Sequence, residues 1–252
     1  MGEFYYLRSM KAATQISSSF RSLFHLFLPR CCSVCGKTLV GGESLLCTAC
    51  RWNMPLTNSW EDPENPVWQK MHAMVGAERA ASLFYYQKRS GYDQLIYRFK
   101  YKGHGSLSYA LGRWFGEELK RSGMFDEVDL IIPVPLHPFR LVKRGYNQSE
   151  LLARGIAAVL KVPVNSRLLI RKVHNRSQTH HSQTDRWENV SGIFGLRSPH
   201  KLTGKHILLV DDVLTTGATL ESCADTIRAT IPDCRLSVAT LAVSSKDMFG
   251  KI

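Results

Sequence analysis

The chain has 252 residues, of which 44% are hydrophobic and 21% are charged, so it is long enough for one folded domain and a smaller module. No apolar run approaches the roughly 18 to 20 residues that span a bilayer, and the first residues lack the pattern of a secretory signal peptide. These features argue against an integral membrane protein or a secreted one, and we expect a cytoplasmic protein without membrane insertion.

The net charge of +12 is concentrated in one part of the chain. Residues 135–205 contain thirteen lysines or arginines and three acidic residues, which gives this basic segment a charge of +10. Such an excess favours an anionic ligand, for which a polyphosphate, a nucleic acid or both are candidates. A solvated basic surface without a ligand is the alternative.

An amphipathic helix is predicted within the N-terminal segment, residues 1–30. Apolar side chains recur there at helical spacing, and Pro29 is expected to end the helix. We favour a helix that packs on its own protein over one that contacts a membrane or a partner. The apolar positions are Ile16, Phe20, Leu23, Phe24 and Phe27.

Residues 31–60 form a second segment, which contains four cysteines at metal-binding spacing. The cysteines lie in two pairs, each with two residues between its members, and eleven residues separate the pairs: Cys32, Cys35, Cys47 and Cys50. Two such turns direct four thiolates at one ion, which is the arrangement of a structural zinc site. Disulfides are disfavoured in the cytosol, and neither pair lies in the βαβ context of a redox motif. Cys31 is the alternative to Cys32, but the spacing favours Cys32.

A connector at residues 61–79 leads to an α/β domain at residues 80–252. Tryptophans and prolines between residues 52 and 78 indicate irregular structure there. From Ala80 onward, predicted strands alternate with predicted helices, which indicates a parallel sheet with flanking helices. The predicted strands are residues 80–86, 128–134, 206–210 and 236–243, and the predicted helices are residues 106–121, residues 147–161 and one that ends near Thr230.

The run HILLVDDVLTTGATL, residues 206–220, predicts a phosphate-binding loop. A buried strand delivers Asp211 and Asp212 to the carboxyl edge of the sheet, where open α/β sheets bind ligands. The following loop offers backbone N–H groups, hydroxyls and the positive end of a helix to an anion. Because the acidic pair suits a sugar diol and the loop suits a phosphate, the run fits a ribose 5-phosphate. The predicted loop residues are Thr215, Thr216, Gly217, Ala218 and Thr219.

This run resembles the signature of the type I phosphoribosyltransferases. The resemblance implies that the acidic pair binds the ribose hydroxyls of 5-phosphoribosyl-1-pyrophosphate (PRPP), that the loop binds its 5-phosphate, and that Mg²⁺ accompanies this donor. Purine-salvage members usually carry another Asp at the third position after the pair, where this chain has Thr215. A purine acceptor handled through that Asp is therefore not expected.

Two further motifs bracket the basic segment. They are PVPLHPFRLVKRGYNQ at residues 133–148 and RKVHNRSQTHHSQTDRWENVSGIF at residues 171–194. Together with the cysteines and the phosphate loop, these motifs resemble the ComF family of competence proteins and occur in the family's order. The resemblance implies that the second motif, which includes Gln178 and Arg186, is a mobile segment over the site.

The first motif carries cations that suit either of two anions. Arg140, Lys143 and Arg144 fit a pyrophosphate or a nucleic-acid backbone equally well, and we add Tyr146 to these predicted contacts. Phe139, Tyr146 and Trp187 lie among the basic residues, an arrangement that suits base stacking on single strands. A position in the core is the alternative for each of these aromatic side chains.

Three functions are compatible with these features. The ComF resemblance implies a DNA-handling protein of natural transformation that binds single-stranded DNA and works with a helicase and a recombination mediator. The alternatives are a Mg²⁺-dependent phosphoribosyltransferase with an unknown acceptor and a non-catalytic nucleotide sensor. Because no acceptor pocket and no catalytic residue can be identified from the sequence, we favour the first.

Overall fold

The computed structural model describes residues 30–87, 90–100, 105–172, 192–197 and 202–249. The predicted N-terminal helix and most of the 171–194 motif, including Gln178, Arg186 and Trp187, lie outside the described residues. The chain divides into two compact units, residues 1–53 and residues 54–252. The paired cysteines belong to the first unit, and the acidic pair with its loop belongs to the second.

The first unit has little regular structure. An isolated antiparallel bridge joins Cys31 to Thr38, and helix α1 spans Thr48–Trp52. Among the described residues of this unit, Cys32 and Leu46 are the buried apolar side chains. So small a core contributes little to the stability of the first unit. We expect a bound metal to contribute most of that stability.

The second unit is built on a parallel sheet, which confirms the predicted α/β fold class. Its strands are β1 (Ala80–Tyr86), β2 (Leu130–Pro133), β3 (Leu169–Arg171), β4 (Phe194–Leu196), β5 (His206–Leu214) and β6 (Arg235–Ser244). The main sheet has the order β1–β6–β5–β2 with every neighbouring pair parallel, and β3 pairs with β4 in a separate antiparallel ribbon. Most residues of β5 and β6 are buried, as expected for strands covered on both faces.

Seven helices of the described residues accompany these strands. They are α2 (Pro66–Val75), α3 (Asp93–Lys100), α4 (Gly105–Ser122), α5 (Pro138–Arg144), α6 (Gln148–Leu160), α7 (Ala218–Thr230) and α8 (Ser245–Phe249). Among the described residues, no helix has the length and apolar character needed to cross a bilayer.

Helix α2 lies in the stretch that we expected to be irregular, and that expectation was wrong. Asn65 caps the helix by accepting a hydrogen bond from the Trp68 N–H at 2.9 Å, and Pro66 occupies the first helical position, where a missing N–H costs nothing. Gly76 ends the helix in the left-handed conformation. Pro66, one of the prolines that suggested an irregular chain, therefore marks the start of a helix.

Helix α6 packs closely against α4, and this contact fixes the position of its first turn. A Cβ atom at Gly155 would collide with the backbone carbonyl of Tyr109 in α4. Glycine is therefore required where the two helix backbones approach. The next residue, Ile156, is fully buried, so this part of α6 is anchored in the core.

Candidate functional site

The four paired cysteines lie together as the spacing predicts. The sulfur atoms of Cys32, Cys35, Cys47 and Cys50 are all within 4.8 Å of one another, and the Cys35 and Cys47 Sγ atoms are 3.7 Å apart. Four sulfurs at about 2.3 Å from a tetrahedral ion are separated by about 3.8 Å, so the cluster fits a zinc ion. Cys31 lies outside this cluster.

The surroundings of the cluster favour the thiolate of Cys32 and disfavour that of Cys50. Burial acts to raise the pKa of Cys32, but hydrogen bonds from the backbone N–H groups of Cys35, Cys47 and Val34 lower the pKa of its thiol to about 6. Burial and the neighbouring thiols raise the pKa of Cys50. A cation bound among the sulfurs would favour the deprotonated form of all four cysteines, because metal binding displaces their protons.

The second cysteine turn is held by a carboxylate. Glu43 accepts hydrogen bonds from the Thr48 N–H at 2.6 Å, the Thr48 hydroxyl at 2.7 Å and the Val40 N–H at 3.0 Å. These bonds, of which that from the Thr48 N–H has the largest effect, lower the pKa of Glu43. The ionised carboxylate thus orders the chain that carries Cys47 into α1.

In the second unit, the acidic pair is held by the first turn of α6. The Ser149 hydroxyl donates to Asp211 Oδ1 at 3.0 Å, and Gln148 Nε2 donates to Asp212 Oδ2 at 3.1 Å. The Asp212 and Val213 N–H groups also donate to these carboxylates, at 2.8 and 2.7 Å. The end of the first ComF-like motif and the acidic pair therefore form one polar cluster.

The acidic pair lies deeper than expected. Strand β5 continues past residue 210, pairing Asp211 with Thr240 and Leu214 with Val243, so the acidic residues lie within the strand. Asp212 is only 9% exposed, whereas we expected both carboxylates at an open edge. Strand β5 is longer than predicted because its last residues also pair with β6. Sequence periodicity does not reveal this pairing.

The predicted phosphate loop connects β5 to α7. Thr215 and Thr216 are exposed, and Gly217 precedes α7 with φ +96°, a conformation that favours glycine. The Glu221 N–H already donates to the Gly217 carbonyl at 3.0 Å, which leaves the N–H groups of the first helical turn directed out of the helix end. This arrangement suits an anion. Ala218 and Thr219, which begin the helix, are exposed as well.

Helix α5 displays the cations of the first motif on an unusual surface. Arg140 and Lys143 are exposed, and Arg144 is half-buried. The apolar side chains of the same helix are also exposed, Phe139 by 75% and Val142 by 85%. The Phe139 ring stacks on His137 with centroids 5.5 Å apart and planes inclined by 15°. Among the described residues, α5 therefore presents aromatic, apolar and basic groups together.

Tyr146 has a structural contact in addition to its predicted role. It is half-buried, and its hydroxyl donates to the Phe99 carbonyl of α3 at 3.1 Å. Burial raises the pKa of Tyr146, and the nearby Arg144 opposes this shift. The neighbouring Asn147 donates to the Val134 carbonyl at 3.0 Å, so the chain between α5 and α6 is tied to β2 and α3.

Comparison with known proteins agrees with these features. The phosphoribosyl transferase domain family matches residues 147–247, the stretch from α6 to α8 that contains the acidic pair and the loop. Competence protein F of Haemophilus influenzae is 34% identical over 138 residues, 53% of this chain and 60% of that protein. Competence protein ComFC of Bacillus subtilis is 30% identical over 149 residues, 57% of this chain and 58% of that protein. The chain is similar to the ComF competence proteins and carries a phosphoribosyltransferase domain.

Another relative is matched over a longer stretch of the chain. DNA utilization protein YhgH of Salmonella typhimurium is 29% identical over 201 residues, which are 77% of this chain and 82% of that protein. The matches to competence protein F and ComFC, by contrast, span about three-fifths of each of those proteins.

Solved structures resemble the chain only distantly. The glutamine PRPP amidotransferase of B. subtilis, complexed with ADP and GMP, has a TM-score of 0.39 at 19% identity and covers 57% of this chain and 30% of its own. A hypothetical protein from Neisseria gonorrhoeae with bound ppGpp has a TM-score of 0.36 at 17% identity, over 60% of this chain and 75% of its own. We draw no functional conclusion from similarity at this level.

Two residues that contact the acidic pair, Gln148 and Ser149, were missing from the predicted site residues. Gln148 is the last residue of the first motif and Ser149 follows it, so the motif was the available signal, but their contacts with the acidic pair were not predictable. Gln148 Oε1 is buried and has no hydrogen-bond partner among the described residues. A buried acceptor beside Asp212 is available for a ligand donor.

A cavity of about 510 Å³ lies away from this cluster. Glu78 and His206, which line it, precede β1 and begin β5, so it lies toward the amino ends of the strands. The acidic pair and its loop lie at the opposite ends. This cavity is therefore separate from the acidic pair and its loop.

Proposed function

We propose that this chain is a ComF-type protein: a cytoplasmic DNA-handling protein of natural transformation, with a PRPP site at the acidic pair and a surface for single-stranded DNA on the basic segment. The observation that carries the PRPP site is the cluster in which Ser149 and Gln148 orient Asp211 and Asp212 directly before the anion loop. Carboxylates held in this way can accept hydrogen bonds from the two ribose hydroxyls.

The remaining parts of the ligand have counterparts nearby. The 5-phosphate would lie against the loop of Thr215, Thr216, Gly217, Ala218 and Thr219, where backbone N–H groups and hydroxyls meet the positive end of α7. Gln148 Oε1, a buried acceptor without a partner among the described residues, supports a ligand hydroxyl at the same place. The pyrophosphate would face the cations that follow β2.

Two metal ions are part of the proposal. Carboxylate and amide oxygens at Asp211, Asp212 and Gln148 form an oxygen-only donor set, which is the set that Mg²⁺ prefers. When bound, Mg²⁺ would neutralise negative charge on the donor's pyrophosphate. The four-cysteine cluster would hold Zn²⁺ in a structural role, because four thiolates leave no open position for chemistry.

The surface for DNA is proposed from helix α5. Exposed Arg140 and Lys143 suit phosphates, and the exposed Phe139 suits a base, which is the combination that single-stranded nucleic acid requires. The names of the relatives, competence protein and DNA utilization protein, support a role in DNA handling. A competence helicase and a recombination mediator are the partners that the family resemblance implies.

Titration of the purified chain tests both halves of the proposal. We expect PRPP to bind only with Mg²⁺, and a single-stranded oligonucleotide to bind more tightly than a duplex of the same length. Titrating each ligand in the presence of the other shows whether the sites compete. Absence of Mg²⁺-dependent PRPP binding would contradict the nucleotide site, and equal affinity for single strand and duplex would contradict the proposed DNA surface.

A phosphoribosyltransferase with an unknown acceptor is the second candidate, because the same donor site would serve catalysis. The exposed Thr215 stands where purine-salvage members usually carry an Asp that acts on the base. Incubation of the chain with PRPP and Mg²⁺ and candidate acceptor bases distinguishes the two functions. Release of pyrophosphate that depends on an acceptor would favour the enzyme, and stable binding without release would favour a binding or sensing role.

A further inference from the structure

Helix α2 lies beneath the anion loop and contributes a cation to it. The Lys70 ammonium donates a hydrogen bond to the Thr215 carbonyl at 2.6 Å and makes a longer contact, 3.5 Å, with the Asp247 carbonyl of α8. Lys70 lies outside residues 147–247, which match the phosphoribosyl transferase domain family, and outside every motif considered above. It is therefore a residue of the site that neither the motifs nor the family match contains.

The same helix also contacts the loop at Gly217. A Cβ atom at Gly217 would lie 2.7 Å from Met74 Sδ and 3.1 Å from Met71 Cε, so the loop backbone rests directly on α2. Met74 is one helical turn after Lys70, which puts both side chains on one face of the helix. One face of α2 thus contacts the loop at Thr215 and at Gly217.

The contact with Thr215 determines the direction of a peptide group. In a trans peptide the carbonyl of one residue and the N–H of the next point in opposite directions. Because Lys70 holds the Thr215 carbonyl toward α2, the Thr216 N–H is directed away from α2. An anion loop needs this orientation, since a carbonyl turned toward the ligand would repel it and an inward N–H binds it.

We propose that Lys70 is the positioning residue of the anion loop: it turns the Thr215 carbonyl away from the ligand, presents the Thr216 N–H to the 5-phosphate, and adds a positive charge beneath the loop. This proposal rests on the proposed PRPP site. It assigns Lys70 to the phosphate end of the ligand and gives it no part in recognition of the pyrophosphate or of the ribose hydroxyls.

The decisive comparison uses ligands that occupy different parts of the site. Ribose 5-phosphate requires the loop, whereas inorganic pyrophosphate does not. We expect Lys70→Met to lower the affinity for ribose 5-phosphate about tenfold, as for loss of one charge-assisted hydrogen bond. The affinity for pyrophosphate should be unchanged. Lys70→Arg, which keeps a donor and the charge, should retain most of the affinity. Lys120→Met removes an equal charge from an exposed position on α4 and is the matched control.

An amide resonance provides a readout that simple destabilisation does not change. On saturation with ribose 5-phosphate, the Thr216 N–H signal should shift in the native chain and should shift much less in Lys70→Met. Unchanged ribose 5-phosphate affinity in Lys70→Met, or an equal loss for pyrophosphate, would overturn the role of Lys70 while leaving the PRPP site intact. A native chain that binds neither ribose 5-phosphate nor PRPP would instead overturn the PRPP site itself.

Discussion

Gln148 Nε2 donates a hydrogen bond to Asp212 Oδ2 across 3.1 Å, and both side chains are buried. The contact joins the first turn of α6 to the end of β5, and the two residues are 64 positions apart in the chain. It links the end of the first motif, residues 133–148, to the acidic pair. The first motif and the phosphate-loop run, residues 206–220, therefore meet in one hydrogen bond.

Removing the amide should destabilise the fold. In Gln148→Leu, Asp212 loses a buried hydrogen-bond donor, so we expect the free energy of unfolding to fall by about 1–3 kcal/mol. Urea denaturation measures this change. Gln94→Leu, at an exposed position on α3, serves as the control and should differ from the native chain by less than about 0.5 kcal/mol. Native stability in Gln148→Leu would mean that the contact contributes nothing to the fold.

The acidic pair should be required for PRPP binding with Mg²⁺. Because Asp212 is buried and accepts hydrogen bonds, truncation to Ala would combine a binding effect with a folding effect. Asp211→Asn with Asp212→Asn keeps the shape and removes the charge, so we expect loss of Mg²⁺-dependent PRPP binding with a folded chain. Isothermal titration calorimetry and circular dichroism measure the two properties. PRPP affinity within twofold of native would be inconsistent with the proposed site.

The cysteine cluster should bind about one zinc ion per chain, as a four-thiolate structural site requires. Cys47→Ser removes one of the four sulfurs, and elemental analysis should show that the purified variant has lost most of its metal. Cys31→Ser changes an adjacent cysteine outside the cluster and should keep full occupancy. The opposite pattern, with metal lost in Cys31→Ser and retained in Cys47→Ser, would show that the four ligands are assigned wrongly.

The exposed cations of α5 should contribute to the salt dependence of DNA binding. Replacing Arg140 and Lys143 by Ala should reduce the slope of log K against log salt by about 1.4, since each phosphate contact with a single strand contributes about 0.7. Fluorescence anisotropy with a labelled oligonucleotide at several salt concentrations measures this slope. The control removes Lys120 on α4 and Lys246 on α8, two exposed lysines outside α5. If both double variants change the slope equally, the effect comes from net charge and not from α5.

The Phe139 ring should contribute to the affinity for single-stranded DNA without changing the salt dependence of binding. Its ring is exposed and stacked on His137, so Phe139→Ala removes a surface on which a base can stack. We expect a loss of about 1–3 kcal/mol in binding of a single strand, with an unchanged salt slope. Val142→Ala, which shortens another exposed apolar side chain of α5, is the comparison. Equal losses in the two variants would indicate a general apolar contact.

Several features followed from local chain chemistry alone. The cysteine spacing predicted the cluster, because a turn with two intervening residues brings two thiolates together whatever surrounds it. The alternation of apolar strands and amphipathic helices predicted the parallel sheet, since that pattern depends on side-chain periodicity within each element. The resemblance of the acidic run to phosphoribosyltransferases required only a contiguous stretch, residues 206–220, whose residue types are sufficient to identify it.

Other features depend on which distant residues are packed together, and local patterns carry no information about that. The tryptophans and prolines before Ala80 suggested irregular chain, yet the tertiary structure places α2 there and brings Lys70 to Thr215, 145 residues away. The burial of Asp212 depends on a ladder with β6 that continues beyond the predicted strand end. Hydrogen-bond partners so far apart in the chain are selected by the packing of whole elements, so only the folded structure decides them.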